Sequence, residues 1–182
     1  IITVTSGHGD FRQPFEIPRG VGTPMSRGEL LGAAMIADSP DEVRVRVREQ
    51  LMLGASHIKL TAGGGVASPH SPLDATTFTE SELRAAVEAA ENWGTYVTVH
   101  AYTPESIRRS IAAGVKCIEH GHLMDEPTAK SIAKNGIWLS TQAFPDELAD
   151  AFPPGSLEGI KARVVFAGTD RTFNLAKKYR IK

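Results

Sequence analysis

The feature that most constrains this chain is a repeated local grammar: an amphipathic helix, a glycine or turn, a short apolar strand, then a polar loop. Ser39-Pro40 opens the first complete unit. Serine is a favoured helix N-cap and proline fits the first helical turn. Val43, Val47, Leu51 and Met52 follow at helical spacing, Gly54 stops the helix, and the strand at 57–61 comes next. Thr79-Glu80-Ser81-Glu82 is a capping box. Its helix places Leu83, Ala86, Val87 and Ala90 on one face, and Gly94 precedes the strand at 96–100. Thr103-Pro104 caps a third helix, with Ile107 and Ile111 inside and Gly114 before the strand at 116–120. Asp125 caps a fourth, carrying Ile132, and Asn135-Gly136 leads into the strand at 137–141.

Strands separated by helices pair in parallel through right-handed crossovers, and such a sheet is buried on both faces. With the strand-like run at 1–5, five strands are expected. Two α/β architectures fit, an open doubly wound sheet and a closed (β/α)8 barrel. Eight strands do not fit in 182 residues of this pattern, so the barrel reading expects further strands outside this sequence. The start at Ile1 and the strand-like ending Arg180-Ile181-Lys182 agree with that. The stretch 11–37 reads as irregular. The stretch 61–77 reads as a long polar loop, and loops of that length are often functional. Its Gly63-Gly64-Gly65 run is not a nucleotide loop, because no Gly-Lys-Ser/Thr follows and no GxGxxG is complete.

The formal net charge of −1 gives no reason to expect a nucleic-acid or membrane partner. No apolar run approaches the length of a membrane span. The single cysteine, Cys117, excludes an internal disulfide and leans the chain toward the cytoplasm. It lies in the apolar run 115–118 and is expected to be a packing residue. A homo-oligomer is compatible with this composition.

Three successive strands carry a metal-competent residue near the C-terminal end: Lys59, His100 and His120. Parallel α/β folds bind ligands at that edge. Imidazole nitrogen suits zinc, and a catalytic zinc keeps one position open for water. A single strand-end histidine is more often a satisfied polar residue, so the weight rests on the coincidence of all three. Lys59 has two further readings, a Schiff-base nucleophile or a lysine carboxylated by carbon dioxide, and spacing does not choose between them. Glu119 is expected to point to the opposite face of its strand from His120. His8 follows the first strand and is placed to reach substrate. Tyr102, two residues beyond His100, is placed to polarise a substrate carbonyl or bind a carboxylate. His70 and His122 are loop residues, and His57 starts a strand at the far end.

The runs HIKLTAGGGVASPHSPLD, VTVHAYTPESIRRSIAAGVKCIEHGHLMDE and GIWLSTQAF resemble the amidohydrolase superfamily. The nearest branch is the imidazolonepropionase-like group that includes metal-dependent dipeptidases and carboxypeptidases of the Xaa-Pro and Xaa-Arg type. The resemblance implies a distorted (β/α)8 barrel with one or two divalent metals, zinc foremost. Lys59 would be the carboxylated bridging lysine of the fourth strand, and His100 and His120 the ligands of the fifth and sixth. Residues 1–5 and 137–141 would then be strands three and seven, and 1–182 a partial hydrolase barrel. The Ser6-Gly7-His8-Gly9-Asp10 run is similar to the family's GGHGD, which makes His8 a substrate contact.

Two family elements are absent, a His-x-His pair on strand one and an aspartate ending strand eight. Gly168-Thr169-Asp170 imitates the latter. However, 156–179 reads as one long helix, at about 1 kcal/mol for Gly168 inside it, and Asp170 is not assigned as a ligand. The implied activity is metal-assisted hydrolysis of an amide bond in a small peptide-like molecule, a dipeptide or N-acyl amino acid. This chain alone is expected to be inactive. The competing readings are a Schiff-base lyase acting through Lys59 and a non-catalytic barrel domain.

Overall fold

The computed structural model describes residues 1–17 and 24–182. Its centre is a parallel sheet of six strands: β1 (Ile2–Thr3), β2 (Met35–Ile36), β3 (Ile58–Thr61), β4 (Val97–Ala101), β5 (Cys117–His120) and β6 (Trp138–Ser140). Their spatial order is β2-β1-β3-β4-β5-β6. Helices α2 (Pro40–Met52), α3 (Glu80–Glu91), α4 (Pro104–Ala112) and α5 (Glu126–Lys134) make the successive crossovers from β2 to β6.

The helix starts are those the sequence marks. Ser39, Thr103 and Asp125 each accept from a backbone N–H in the first turn, and Thr79 and Glu82 form the full reciprocal box. Gly54, Gly94, Gly114 and Gly136 follow the four helices with φ between 65° and 97°, a left-handed turn that glycine adopts without a Cβ penalty.

Alternation along the strands divides the sheet into two faces. Ile58, Leu60, Val97, Val99 and Ile118 pack toward the helices, against Val43, Val47, Leu83, Ala86, Ile107 and Ile132. Lys59, Thr61, Thr98, His100, Cys117 and Glu119 share the other face by register. Across that face the Thr61 hydroxyl donates to Thr3 Oγ1 at 2.8 Å, and the Thr98 hydroxyl to Glu119 Oε1 at 2.8 Å. A polar inner face behind an apolar helix-facing layer is what places chemistry inside such a sheet. Cys117 lies on this inner face and is half-buried rather than sealed in the core.

Several expectations are corrected. The stretch 11–37 contains a 3-10 turn (Pro14–Glu16), α1 (Arg27–Leu30) and β2, although its residues 18–23 lie outside the described ones. A two-residue strand carries no periodicity to detect. Met52, grouped with the buried face of α2, is 80% exposed. The single helix over 156–179 is two, α6 (Leu157–Phe166) and α7 (Thr169–Tyr179). The break falls where Gly168 passes so close to His122 that a Cβ would lie 2.0 Å from its carbonyl oxygen. Asp170 sits in the first turn of α7 and does not end a strand. Beyond α7 the backbone runs beside β6, with Leu139 N–H donating to Lys182 O at 2.8 Å.

A second apolar cluster forms a roof over the C-terminal strand ends. Val66, Tyr102, Ala149, Ala162, Val165 and Phe166 gather there, with Leu73, Leu123, Phe144 and Phe152 packed against them.

Candidate metal-binding active site

Strand register sets the depth of each candidate. Thr61 lies opposite His100 and Lys59 opposite Thr98, so Lys59 sits one inward-facing position below His100. His100 is 2% exposed at the end of a fully buried strand. His120 lies in register with Ala101, on the helix-facing side by alternation. Its backbone is left-handed, φ 76°, which returns the imidazole to the inner rim, 4.7 Å from the His100 ring between centroids. A non-glycine residue in that conformation costs about 1–3 kcal/mol, and such strain clusters at functional sites. The Thr141 hydroxyl secures the turn by donating to His120 O at 2.7 Å.

This twist also corrects the reading of Glu119. His120 is the residue that departs from alternation, so Glu119 faces inward, its Oε2 3.9 Å from Lys59 Nζ. Lys59 thus has the partner a charged amine inside a sheet requires.

Both rim imidazoles are held in one tautomer. His100 Nε2–H donates to Gly64 O at 2.8 Å, and His120 Nδ1–H to Gln142 Oε1 at 2.7 Å. His100 Nδ1 and His120 Nε2 are therefore the lone-pair nitrogens. Burial, with the neighbouring imidazoles and the Lys59 charge, holds His100 well below the ordinary histidine value. Burial also lowers His120, against the Gln142 hydrogen bond. Neutral rings with one N–H tied to an oxygen are the form in which histidine binds metal.

His8 joins them, its ring 4.3 Å from that of His100. Burial pushes it down to about 4, with His120, Lys59 and Lys161 adding to the effect. Ser68 Oγ accepts from Gly9 N–H at 2.9 Å and reaches His8 Nδ1 at 2.8 Å. Tyr102 stands edge-on to His100 at 4.7 Å and 5.4 Å from His120. Burial pushes its phenol up to about 12, so it stays a neutral donor.

The other histidines are not brought into this group in the same way. His122 is fully buried, stacked on Phe144 at 5.0 Å, and donates from Nε2 to Gln142 O at 2.9 Å, while its Nδ1 has no partner. His70 is exposed and offers its carbonyl to the Ser6 hydroxyl. His57 stacks on Tyr96 at 5.4 Å, next to the N-terminal end of its strand.

The donor chemistry fits a divalent cation in part. Two imidazoles with a free lone pair each lie with ring centroids 4.7 Å apart, but among the described residues no three His, Cys, Asp or Glu side chains form a metal-holding group. On the inner face the Glu119 carboxylate offers oxygens that are engaged by Thr98 and Lys59, and Lys59 itself could add an oxygen only if carboxylated.

Sequence reasoning missed three supports. Gln142 holds His120 with its side chain and His122 with its carbonyl. Ser68 holds His8, and Lys161 holds the loop that carries Ser68. Lys161 had a signal, a lysine on the same helical face as buried Val165 and beside buried Ala162. The glycine run acquires a reason too. A Cβ on Gly64 would lie 1.6 Å from Pro72 O, and one on Gly65 2.0 Å from His8 Nδ1.

The amidohydrolase family pattern matches residues 16–165, and the chain belongs to that family. It is 34% identical over 143 residues to an ochratoxinase of Aspergillus niger, a match that covers 75% of this chain and 29% of the relative. Among solved structures it superposes on a prolidase complexed with N-methylphosphonate-L-proline, with TM-score 0.85 and 34% identity. That match covers 100% of this chain and 45% of the prolidase. A Xaa-Pro dipeptidase with methionine bound in its active site gives TM-score 0.80 at 30% identity, over 100% of this chain and 44% of the dipeptidase. The chain thus spans less than half the length of these relatives. Its parallel strands and flanking helices are the α/β fold of a barrel of this family.

Proposed function

We propose that this chain carries the central part of a metal-dependent hydrolase of amide bonds, with small peptide-like substrates such as dipeptides or N-acyl amino acids. Of the six strands, β1 and β3 to β6 are read as strands three to seven of the barrel, and the two-residue β2 as an addition beside β1. The observation that carries the reading is the pair of neutral imidazoles, His100 and His120, 4.7 Å apart at adjacent strand ends, each with its other nitrogen bound to a carbonyl oxygen. The prolidase, dipeptidase and ochratoxinase likenesses support the substrate class.

In this reading His100 and His120 would hold one or two divalent cations, zinc by preference, and Lys59, if carboxylated, would supply an oxygen donor. When bound, the cation supplies Lewis acidity toward the amide carbonyl and makes water a better nucleophile. Burial keeps both imidazoles unprotonated at neutral pH, Gly64 and Gln142 orient them, and the roof excludes bulk water. Tyr102 and His8 flank the rim as substrate-binding groups, and the Tyr102 phenol also serves catalysis as a donor to the carbonyl or carboxylate oxygen. Residues 1–182, under half the length of the relatives, are not expected to turn over substrate alone.

Zinc titration with metal analysis, joined to a dipeptide-hydrolysis assay in the full protein, tests this. Replacing His100→Ala should lower zinc affinity beyond the ~10–100-fold typical of losing a ligand's outer partner, and abolish turnover. Unchanged zinc content and activity in that variant would sink the ligand assignment. Borohydride trapping of a carbonyl substrate on Lys59, without metal dependence, would move the assignment to a Schiff-base lyase. A folded full protein that binds no zinc and traps no substrate would favour a non-catalytic barrel.

A further inference from the structure

We infer that Lys161 is a positioning residue: its buried ammonium ties down the tip of the 61–77 loop and, through Gly64 and Ser68, sets the orientation and tautomer of His100 and His8. Lys161 projects from α6 into the roof and is 6% exposed. Its Nζ donates to Ser68 O at 2.8 Å, Ser71 O at 2.9 Å and Gly65 O at 3.3 Å. All three ammonium donors are thus used, and all three acceptors belong to one loop. Among the described residues no carboxylate forms an ion pair with it.

A buried charge with no carboxylate in ion-pair contact, only the Coulombic influence of Glu158 on the same helix, is an expensive way to fill space. The neighbours of Lys161 in the roof, Ala162, Val165 and Phe166, are apolar, and an apolar side chain would pack among them without that cost. The ammonium does what no apolar group can, gathering three carbonyls around one atom. The base of the loop is secured by backbone bonds, Gly64 N–H to Ala75 O and Thr77 N–H to Ala62 O. Between Gly65 and Ser71 the other ties are a Ser71 N–H to Ser68 O contact at 3.4 Å, the Ser6 hydroxyl on His70 O, and the bonds of Ser68 Oγ with Gly9 N–H and His8 Nδ1. Lys161 is the group that joins three of the tip's carbonyls at one point.

Two imidazoles hang on the loop in turn. Gly64 O accepts from His100 Nε2–H. The Ser68 hydroxyl, already accepting from Gly9 N–H, has its proton free to donate to His8 Nδ1, which leaves His8 protonated on Nε2. Gly65 passes so near the His8 ring that a side chain there would overlap it. A loop displaced by a fraction of an ångström would loosen both rings together.

The inference uses the metal-centre reading in one readout only. Lys161→Met, Lys161→Arg and Ser68→Ala would be made in the full protein and compared by ring-15N NMR in the metal-free state, amide exchange and zinc titration. For Lys161→Met the amides of residues 65–71 should exchange at least ~10-fold faster while those of β3 to β5 keep their protection. The ring nitrogens of His8 and His100 should move from one tautomer toward an averaged pair, and zinc affinity should fall about 10–100-fold. Lys161→Arg, which keeps charge and donors, should restore part of each effect. Ser68→Ala should move the His8 signals and leave those of His100.

Faster loop exchange with unmoved His8 and His100 ring signals would reduce Lys161 to a purely structural anchor and overturn the inference. If Lys161→Met fails to fold, Ser68→Ala decides, and an unmoved His8 ring there also overturns it. Absence of zinc binding by the unsubstituted protein would count against the metal centre alone, since the ring-nitrogen readout needs no metal.

Discussion

Between the sheet and its helices, Ile58, Leu60, Val97, Val99 and Ile118 meet Val43, Leu83, Ile107 and Ile132, none more than 2% exposed. Over the strand ends the roof gathers fewer apolar residues around a polar loop, and α6 leaves Leu157, Ile160 and Val164 about half exposed. The first region is held by area removed from water, the second by hydrogen bonds to Lys161, Ser68 and Gln142. The contrast assigns two jobs. The layer decides where Lys59 and His100 emerge, and the roof decides how the imidazoles are turned. Regions with few buried apolar contacts open at lower free energy than the core, so the roof should loosen first.

The largest expected effect separates the two directly. Phe78 is fully buried in the layer, and Phe78→Ala should cost about 3–5 kcal/mol of global stability in denaturant unfolding. Phe166, in the roof, should cost less on truncation, and the loss should register in the exchange of α6 and loop 61–77 amides while β3 to β5 stay protected. Equal global losses would show that layer and roof unfold as one unit.

Acid should act on the rim and spare the layer, whose interior is apolar. In the metal-free protein the His8 value lies near 4, below the ordinary 6.5 of an unfolded chain. The unfolded state therefore binds the proton first as pH falls. The His8 contribution is fully present above about 6.5, declines between 6.5 and 4, and levels off below 4, at most about 3 kcal/mol. His100 and His120 shift in the same direction and should steepen the decline. Unfolding curves across that window measure it, and His8→Gln should flatten the slope. A profile unchanged by that substitution would place the acid sensitivity elsewhere.

Legibility in the sequence follows the same division. Helices α2 to α5 and strands β3 to β5 announce themselves because caps, helical spacing and terminal glycines are local signals. The ligand candidates followed from the parallel-strand rule, because register alone delivers Lys59 and His100 to one face. His120 reached the site by a route alternation does not contain, a left-handed residue before Gly121. That one dihedral also misplaced Glu119 in the sequence reading. The roof was opaque for another reason. Ser68 meets His8 across 60 residues and Lys161 meets Ser68 across 93, and neither contact leaves a periodic trace. The helix break at Gly168 likewise depends on a carbonyl far away in sequence, that of His122.

The smallest effect tests the division most finely, because it uses the same chemistry in both regions. Thr79 caps α3 in the layer through a reciprocal box, its hydroxyl accepting from Glu82 N–H while Glu82 Oε2 accepts from Thr79 N–H at 2.8 Å. Ser156 caps α6 in the roof with a single bond from Gly159 N–H at 3.1 Å, and glycine at that position offers nothing in return. Removing a cap costs about 0.5–2 kcal/mol. Thr79→Ala should lie toward the upper end and appear in full as lost global stability, because α3 is packed between α2 and α4 on β4. Ser156→Ala should lie toward the lower end and appear mainly as faster exchange of the first-turn amides of α6, with the global midpoint nearly unchanged. Because Lys161 sits one turn beyond that cap, Ser156→Ala should also speed exchange of the 65–71 amides by a smaller factor than Lys161→Met. If Ser156→Ala lowers global stability as much as Thr79→Ala, α6 belongs to the cooperative core, and the roof is as rigid as the sheet it covers.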